Sequence, residues 1–301
     1  MATVPLSSAL REQYETLFNT CMIRPERAQS VEQLIARMRA NRPRHQNVGD
    51  ALGIPWYFVA VIHNMESSCN FTRHLHNGDP LTACTVQVPA GRPRTGIPPF
   101  TWEESASDAL TLKKLSAQTE WSLAGMLYQI ERYNGWGYRL YHPHVLSPYL
   151  WGFSNHYVSG KYIHDGTWSD SAVSKQCGAA VLLRRFAELG EIEFGDQPTP
   201  EPDTTPLVSR HAKRRPTDSE TLLRAEQLQM WLNTFPGIFV KVDGVAGDRT
   251  SDAYKKVTAS HLPGDPRAEA SSDMRRKGIT TLAGVMRGQK KKGKRRAKSR
   301  V

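Results

Sequence analysis

The stretch IPWYFVAVIHNMESS, residues 54–68, decides the reading of this chain. Pro55 stands where a helix can begin, because the first turn has no use for the N–H that proline lacks. The following positions are apolar almost all round, with Ile54, Tyr57, Phe58, Val61, Ile62 and Met65 leaving no polar face. A helix of that kind belongs in the centre of a domain. At its far end stands Glu66. A carboxyl among apolar neighbours holds its proton to higher pH and can donate it to a leaving oxygen near neutrality. The competing reading is an exposed or capping glutamate at a helix end.

Working outward, SSALREQYETLF and VEQLIARMRA carry helical stripes at Leu10, Tyr14 and Leu17 and at Val31, Leu34, Ile35 and Met38. Thr101 and Glu104 form a capping box ahead of SASDALTLKKL, and the stripe Leu123, Leu127, Ile130 stops at Asn134-Gly135. Val173, Cys177 and Val181 mark a last helix closed by Gly190. Strand signals are short: TACTVQVP alternates over residues 82–89, and YVSGKYIHDGTW has the punctuation of a hairpin or wing. The fold class expected is mainly α, with a small β wing.

The length of 301 residues allows one sizeable core and a second, smaller domain. The segment DQPTPEPDTTPLVSRHAKRRPTD, with five prolines, reads as a linker. The organisation expected is a first domain over 1–195, a linker over 196–216, a small unit over 217–264 and a basic, disordered tail over 265–301. The net charge of +11 is concentrated: residues 287–300 carry nine Lys and Arg and no acid. Such a tail adheres to polyanions or merely keeps the chain in solution. No run of about 18 apolar residues and no secretory leader is read, so the expectation is a cytoplasmic product without a transmembrane segment. The four cysteines, Cys21, Cys69, Cys84 and Cys177, have no CxxC spacing and read as reduced, mostly packed thiols.

Met65-Glu66-Ser67-Ser68 resembles the Glu-Ser-Ser motif of goose-type lysozymes, lytic transglycosylases and related chitinases. Tyr133-Asn134-Gly135-Trp136-Gly137-Tyr138 is similar to the Tyr-Asn motif lining the sugar cleft of that superfamily, and residues 71–178 resemble its phage and bacterial lysozyme or chitinase group. The resemblance implies a lysozyme-like α+β domain with Glu66 as general acid. Ser68, Tyr133, Asn134, Trp136 and Tyr138 would then bind substrate, aromatic faces taking sugar rings and polar groups the hydroxyl and acetamido substituents. Trp121 and Trp151 read as core.

Inverting hydrolysis also needs a carboxylate to orient water, roughly 6.5–9.5 Å from the acid. Asp79, in the turn sequence His76-Asn77-Gly78-Asp79-Pro80, is the first candidate, as goose-type lysozymes are similar in placing an aspartate there. It reads equally as an Asx turn before Pro80. Thr85 and Gln87, on one face of the expected strand, would help hold the water. Asp165 and Asp170, flanking Trp168, are alternatives, with Asp170 reading better as the cap of the last helix. His63, one turn before Glu66, reads as a core histidine rather than a partner of the acid. The histidines at 74, 76, 142, 144 and 156 lack ligand spacing, so no metal or other cofactor is expected.

The C-terminal unit resembles the peptidoglycan-binding type 1 module, a three-helix domain, through Leu228-Gln229, Leu232-Asn233, Val242-Asp243-Gly244, Gly247, Thr250 and Ala253. It departs from that pattern in the extended FPGIFVK segment and in the missing Phe-Gln at its end. The function expected is a muramidase acting on peptidoglycan, with chitin as a possible second substrate. Such a phage-type lysin would reach the bacterial wall after release, with the basic tail on anionic envelope polymers and no specific nucleic acid as partner. A lytic transglycosylase and a non-catalytic wall-binding protein are the alternatives.

Overall fold

The computed structural model describes residues 4–164, 166–194 and 207–268. The chain divides into two compact units, residues 1–199 and 200–301. It is mainly helical, and the only sheet among the described residues is one two-stranded hairpin.

In the first unit the helices are α1 (Ser8–Asn19), α2 (Ala28–Ala40), α3 (Arg42–Leu52), α4 (Trp56–Ser67), α5 (Trp102–Leu112), α6 (Leu123–Asn134), the short α7 (Gly137–Tyr141) and α8 (Pro148–Trp151), and α9 (Ala179–Leu189). The decisive stretch is α4, with Pro55 at its N-cap. Its residues from Phe58 to Met65 are all buried, between α2, α3 and α9. Truncating one such side chain, Phe58 for instance, costs about 3–5 kcal/mol. The helix ends where Ser68 and Cys69 turn to positive φ, and the Ser68 N–H closes on the Asn64 carbonyl at 3.0 Å. That stop sets Glu66 at the rim of the core.

Polar side chains lock the surrounding helices. The buried Arg184 guanidinium of α9 pairs with Glu188 at 3.1 Å and donates to the carbonyls of Phe18 and Asn19 at 3.0 and 3.1 Å, satisfying the open end of α1. Glu131 of α6 accepts hydrogen bonds from the Tyr14 hydroxyl of α1 and from Arg139 of α7. Thr101 and Glu104 form the capping box of α5, and Gly135 ends α6. The last helix starts at Ala179 rather than near Val173, which is exposed. The chain crosses residues 150–152 at Gly178, where a Cβ would stand 2.2 Å from the Leu150 carbonyl oxygen, and Gly178 itself is extended, at the N-cap of α9.

Strands β1 (Lys161–His164) and β2 (Thr167–Ser169) pair antiparallel, with Lys161 opposite Ser169 and Tyr162 opposite Trp168. The alternation over 82–89 does not give a strand. Val86 and Val88 are 81% and 90% exposed, and the backbone donors of Val86 and Gln87 are taken by the Asp79 carboxylate. A tight loop forms instead, with Thr85 and Arg92 joined by a 2.7 Å backbone bond.

The second unit packs α10 (Ser219–Leu232), capped by Asp218, on α11 (Asp248–Thr258). Its core includes Ala225, Leu228, Leu232, Val240, Tyr254 and Val257. Two full helices are described, and residues 266–268 begin a further helical turn at the limit of the described residues, where the resemblance implied a three-helix domain. The folded unit exceeds the expected 217–264 at both ends. His211 N–H donates to the Pro263 carbonyl and Ala212 N–H to that of Ala246, each at 3.0 Å, while Arg267 pairs with Asp265 at 2.7 Å and Asp252 at 2.8 Å. Residue 195, residues 196–206 of the expected linker and the basic segment 287–300 lie outside the described residues. No helix among the described residues is long and apolar enough to cross a membrane.

Candidate active site

Glu66 stands half-buried at the end of α4, and its Oε1 accepts a 2.7 Å hydrogen bond from the Tyr149 hydroxyl. Tyr149 sits in α8, started by Ser147-Pro148. Burial raises the Glu66 pKa above the ordinary glutamate range, against the opposing pull of the Tyr149 hydrogen bond and the Lys113 charge. The same burial and the neighbouring Glu66 hold the Tyr149 hydroxyl well above its usual pKa, so it is a donor at all working pH. Gln176 fastens the preceding residue, its Nε2 donating to the Met65 carbonyl at 2.8 Å.

Tyr149 and Gln176 belong also to the wall of a cleft of about 460 Å³. Asn134, Gly137 and Tyr138 line it from the end of α6 and the start of α7, and Lys161, Tyr162 and His164 line it from the hairpin. Behind the hairpin the rings of Tyr138, Tyr162 and Trp168 pack edge to face at 5.2–5.6 Å, and His142 stacks flat on Trp168 at 3.5 Å. The cleft therefore has an aromatic side, and Tyr149 on its wall is one hydrogen bond from the Glu66 carboxyl, which is not itself among the lining residues.

The expected substrate-binding residues separate. Asn134 and Tyr138 reach the cleft. Tyr133 is buried behind Glu66: its hydroxyl donates to the Leu75 carbonyl at 3.3 Å, and Lys113 lies over its ring at 4.5 Å. Lys113 also donates to the Tyr133 carbonyl at 3.3 Å, and Arg132 returns a 2.8 Å bond to the Lys113 carbonyl, so the ends of α5 and α6 are tied together beside the acid. Tyr133 thus packs near Glu66 and is not among the residues lining the cleft. Trp136 packs on Tyr128 at 5.1 Å and is not part of the cleft wall. Ser68 does not line the cleft either; it caps α4, and its carbonyl accepts from Arg37 at 3.2 Å.

Asp79 lies in a loop held against the end of α4, where a Cβ on Gly78 would be 3.7 Å from the Glu66 carbonyl oxygen. The Asx turn belongs to Asn77, whose Oδ1 accepts from the Asp79 N–H at 3.0 Å. Oδ2 of Asp79 accepts from Asn77 Nδ2 and the backbone N–H groups of Gln87 and Val86, at 3.0, 3.0 and 2.8 Å. Those backbone bonds, Gln87 first, push its pKa below the usual aspartate range and keep it ionised. Thr85 and Gln87 share no water-holding face. The Thr85 hydroxyl is buried, donating to the Pro89 carbonyl at 2.5 Å and accepting from Arg92 N–H at 2.9 Å, and Gln87 serves Asp79 through its backbone.

Asp170 is mostly exposed, accepts from Trp168 Nε1 at 2.7 Å, and caps no helix because α9 starts well after it; Asp165 lies outside the described residues. His63 is core, bonded to His45 at 3.0 Å between Phe71 and Trp102, and burial lowers its pKa to about 4. His74 and His76 fasten the loop to α5 through Ser105 and Asp108, each at 2.8 Å, and His156 is not among the cleft-lining residues, its Nε2 donating to the Leu17 carbonyl at 2.8 Å. His144 faces Asp170 at 3.8 Å. Trp151 is core, and Trp121 packs half-buried on Phe58 at 4.8 Å. Cys21, Cys69 and Cys177 are buried thiols, and Cys84 is exposed. In the second unit His211, Asp248 and Asp265 bring ligand atoms within 4.8 Å of one another, but Arg267 already neutralises them, at 2.7 Å from Asp265 and 3.8 Å from Asp248.

Comparisons of the chain with protein-family models, curated proteins and solved structures found no match. The reading of the site therefore stands on its own geometry and on the short motifs. Tyr149, Gln176, Lys113 and Lys161 are functional candidates that the sequence did not single out. Ser147-Pro148 could have announced a helix start near Tyr149, but no local pattern connects it to Glu66 across 83 positions.

Proposed function

We propose that the first unit is a lysozyme-like glycosidase cleaving β-1,4-linked N-acetylhexosamine chains, of peptidoglycan or chitin, with Glu66 as the general acid. The observation that carries the reading is the desolvated Glu66 carboxyl, which accepts a hydrogen bond from Tyr149, a residue of the wall of an aromatic-sided cleft. Protonated Glu66 gives its proton to the glycosidic oxygen as the bond breaks, and the Tyr149 hydroxyl steadies the carboxylate that results. Asp79, held ionised, orients the attacking water with Oδ1, because Oδ2 is occupied by the loop.

That triple engagement of Oδ2 also favours a second reading, in which Asp79 is only the clasp of its loop and the substrate's own hydroxyl attacks, as in a lytic transglycosylase. The second unit, on its motif resemblance, is a wall-binding module that raises the local concentration of an insoluble substrate. The basic segment 287–300 would add contact with anionic envelope polymers.

Mass spectrometry of products from purified peptidoglycan and chitin oligosaccharides tests the reading. Reducing ends lost with both Glu66→Gln and Asp79→Asn are expected. Anhydro ends that survive Asp79→Asn would establish the transglycosylase, and a wild-type protein that cuts neither polymer would overturn catalysis and leave a wall-binding protein.

A further inference from the structure

The helix that carries Glu66 also carries half of a buried histidine pair. His63 of α4 stands three residues before the acid, and its Nδ1 meets Nε2 of His45, from α3, at 3.0 Å. Both rings are fully buried. Between ring centres, Phe71 lies 4.6 Å from His63 and 5.5 Å from His45, and Trp102, which begins α5, lies 4.4 and 5.5 Å from them. The contact therefore sits where α3, α5 and the chain that follows α4 close over the Glu66 helix.

Two imidazoles at that distance share one N–H, which requires a lone pair on one of them and so at least one neutral ring. A proton added to either ring sets a full charge among aromatic side chains, where Trp102 can only donate. The charged groups that face the pair are Arg44 of α3 and Glu103 of α5. The Arg44 guanidinium lies over Phe71 at 3.9 Å and repels an added charge, while Glu103 is already engaged by that guanidinium at 2.6 and 2.8 Å. Burial is the largest influence on both rings, lowering His63 to about 4 and His45 to about 3, and the pull of the Asn70 carbonyl on His63 does not offset it. Since the folded values lie below the unfolded one, the pair stabilises the fold fully above about pH 6.5 and progressively less as pH falls from there to about 4.

We infer that the His45–His63 contact is an acid-sensitive latch on the Glu66 helix: a proton on either ring parts α3 from α4, so that acid disables the site from behind and neutralisation restores it. The inference rests on the glycosidase reading only in calling that site catalytic. Each ring that is neutral in the closed form and protonated in the open one multiplies the opening constant by about ten per pH unit below about pH 6.5. Two such rings give a dependence approaching a hundredfold per unit. Released into water, the rings regain their ordinary affinity for protons, which they give up again as the pH is raised.

The test is amide exchange of the full chain from pH 7 to pH 5, with the intrinsic pH dependence of exchange divided out. The opening constant of α3 and α4 is expected to rise at least about fiftyfold from pH 6 to pH 5. His45→Gln and His63→Gln are each expected to remove about one factor of ten from that rise, and to leave exchange in α10 and α11 as it is in the wild type. A further readout needs no substitution: the ring nitrogen shifts of His45 and His63 in the wild type are expected to stay those of neutral imidazoles in the closed form at pH 5. A rise that both substitutions leave unchanged, or rings that titrate near pH 6.5 in the closed form, overturns the inference. Cleavage of peptidoglycan is followed over the same range, and its loss in acid is expected to be less steep in either variant. An acid limb identical in all three proteins also overturns the latch, and the glycosidase reading then stands. A latch that opens in a chain that cuts nothing at any pH overturns only the glycosidase reading.

Discussion

The Tyr149 hydroxyl donates a 2.7 Å hydrogen bond to Oε1 of Glu66, from a helical turn 83 residues away in the chain. The bond favours the ionised carboxylate and so works against the burial that raises the Glu66 pKa. Tyr149→Phe removes the donor and leaves the ring. Its expected result is an alkaline limb of kcat displaced to higher pH, because the unopposed burial keeps Glu66 protonated further. A fall in kcat of about tenfold should accompany it, as the carboxyl loses its fixed orientation. The pH–rate profile of both proteins decides; an unshifted limb would mean that Glu66 is not the titrating acid.

Glu66 should also cost stability. A carboxyl whose folded pKa lies above its unfolded value stabilises fully only below the unfolded pKa, and that contribution is lost as pH rises through the folded one. Glu66→Gln keeps an acceptor for Tyr149 and removes the ionisation. The variant is expected to melt about 2 °C higher than the wild type near pH 7, with the two curves converging below about pH 4. Identical melting temperatures across that range would show that the carboxyl is well solvated, contrary to its place in the fold.

Asp79 has the opposite sign. Its folded pKa is depressed by the Gln87 and Val86 N–H groups, so its hold on the loop is present above the unfolded pKa and disappears as pH falls through the depressed value. Amide exchange at Val86 and Gln87 is expected to be slow at pH 5–7 and to quicken only below the usual aspartate range, about 3.9. Asp79→Ala should make both amides fast at every pH. Protection that persists in the Asp79→Ala protein would assign the loop's order to Thr85 and Asn77 instead.

How legible this was depends on where the information lay. α4 could be read because its apolar faces, Pro55 and the stop at Ser68 are all local. The capping box at Thr101 and the end of α6 at Gly135 are local signals too. α3 escaped because its sequence RPRHQNVGDAL buries only His45, Val48 and Gly49, too few for an apolar stripe. The alternation at residues 82–89 misled because a strand needs a partner, and here a side chain, Asp79, takes the backbone donors instead. Of the candidate site, the sequence singled out Glu66, Asn134 and Tyr138, of which the last two line the cleft. Tyr149, Gln176 and Lys161 join it only through tertiary packing, and Tyr133 and Trp136 leave the cleft for the same reason.

In the second unit the motif residue Gln229 is a staple. Its buried amide donates to Asp243 Oδ1 and the Val245 carbonyl at 3.0 Å and to Thr250 Oγ1 at 3.3 Å, and accepts from the N–H groups of Asp243 and Gly244 at 2.9 Å. Those bonds close the Asp243-Gly244 turn, where Gly244 has φ +72° and a Cβ would meet Leu222 at 2.2 Å. Gln229→Ala strands the buried donors and acceptors and is expected to destabilise the unit by about 3 kcal/mol. Gln229→Glu should be at least as damaging, because it loses the amide donors and sets a carboxylate against Asp243. Amide exchange in α10 and α11, measured on the full chain, reads the loss, while amides in α4 should keep their protection. A change below about 0.5 kcal/mol would mean that water replaces the amide, and that the turn is held by the backbone of Asp243-Gly244 alone.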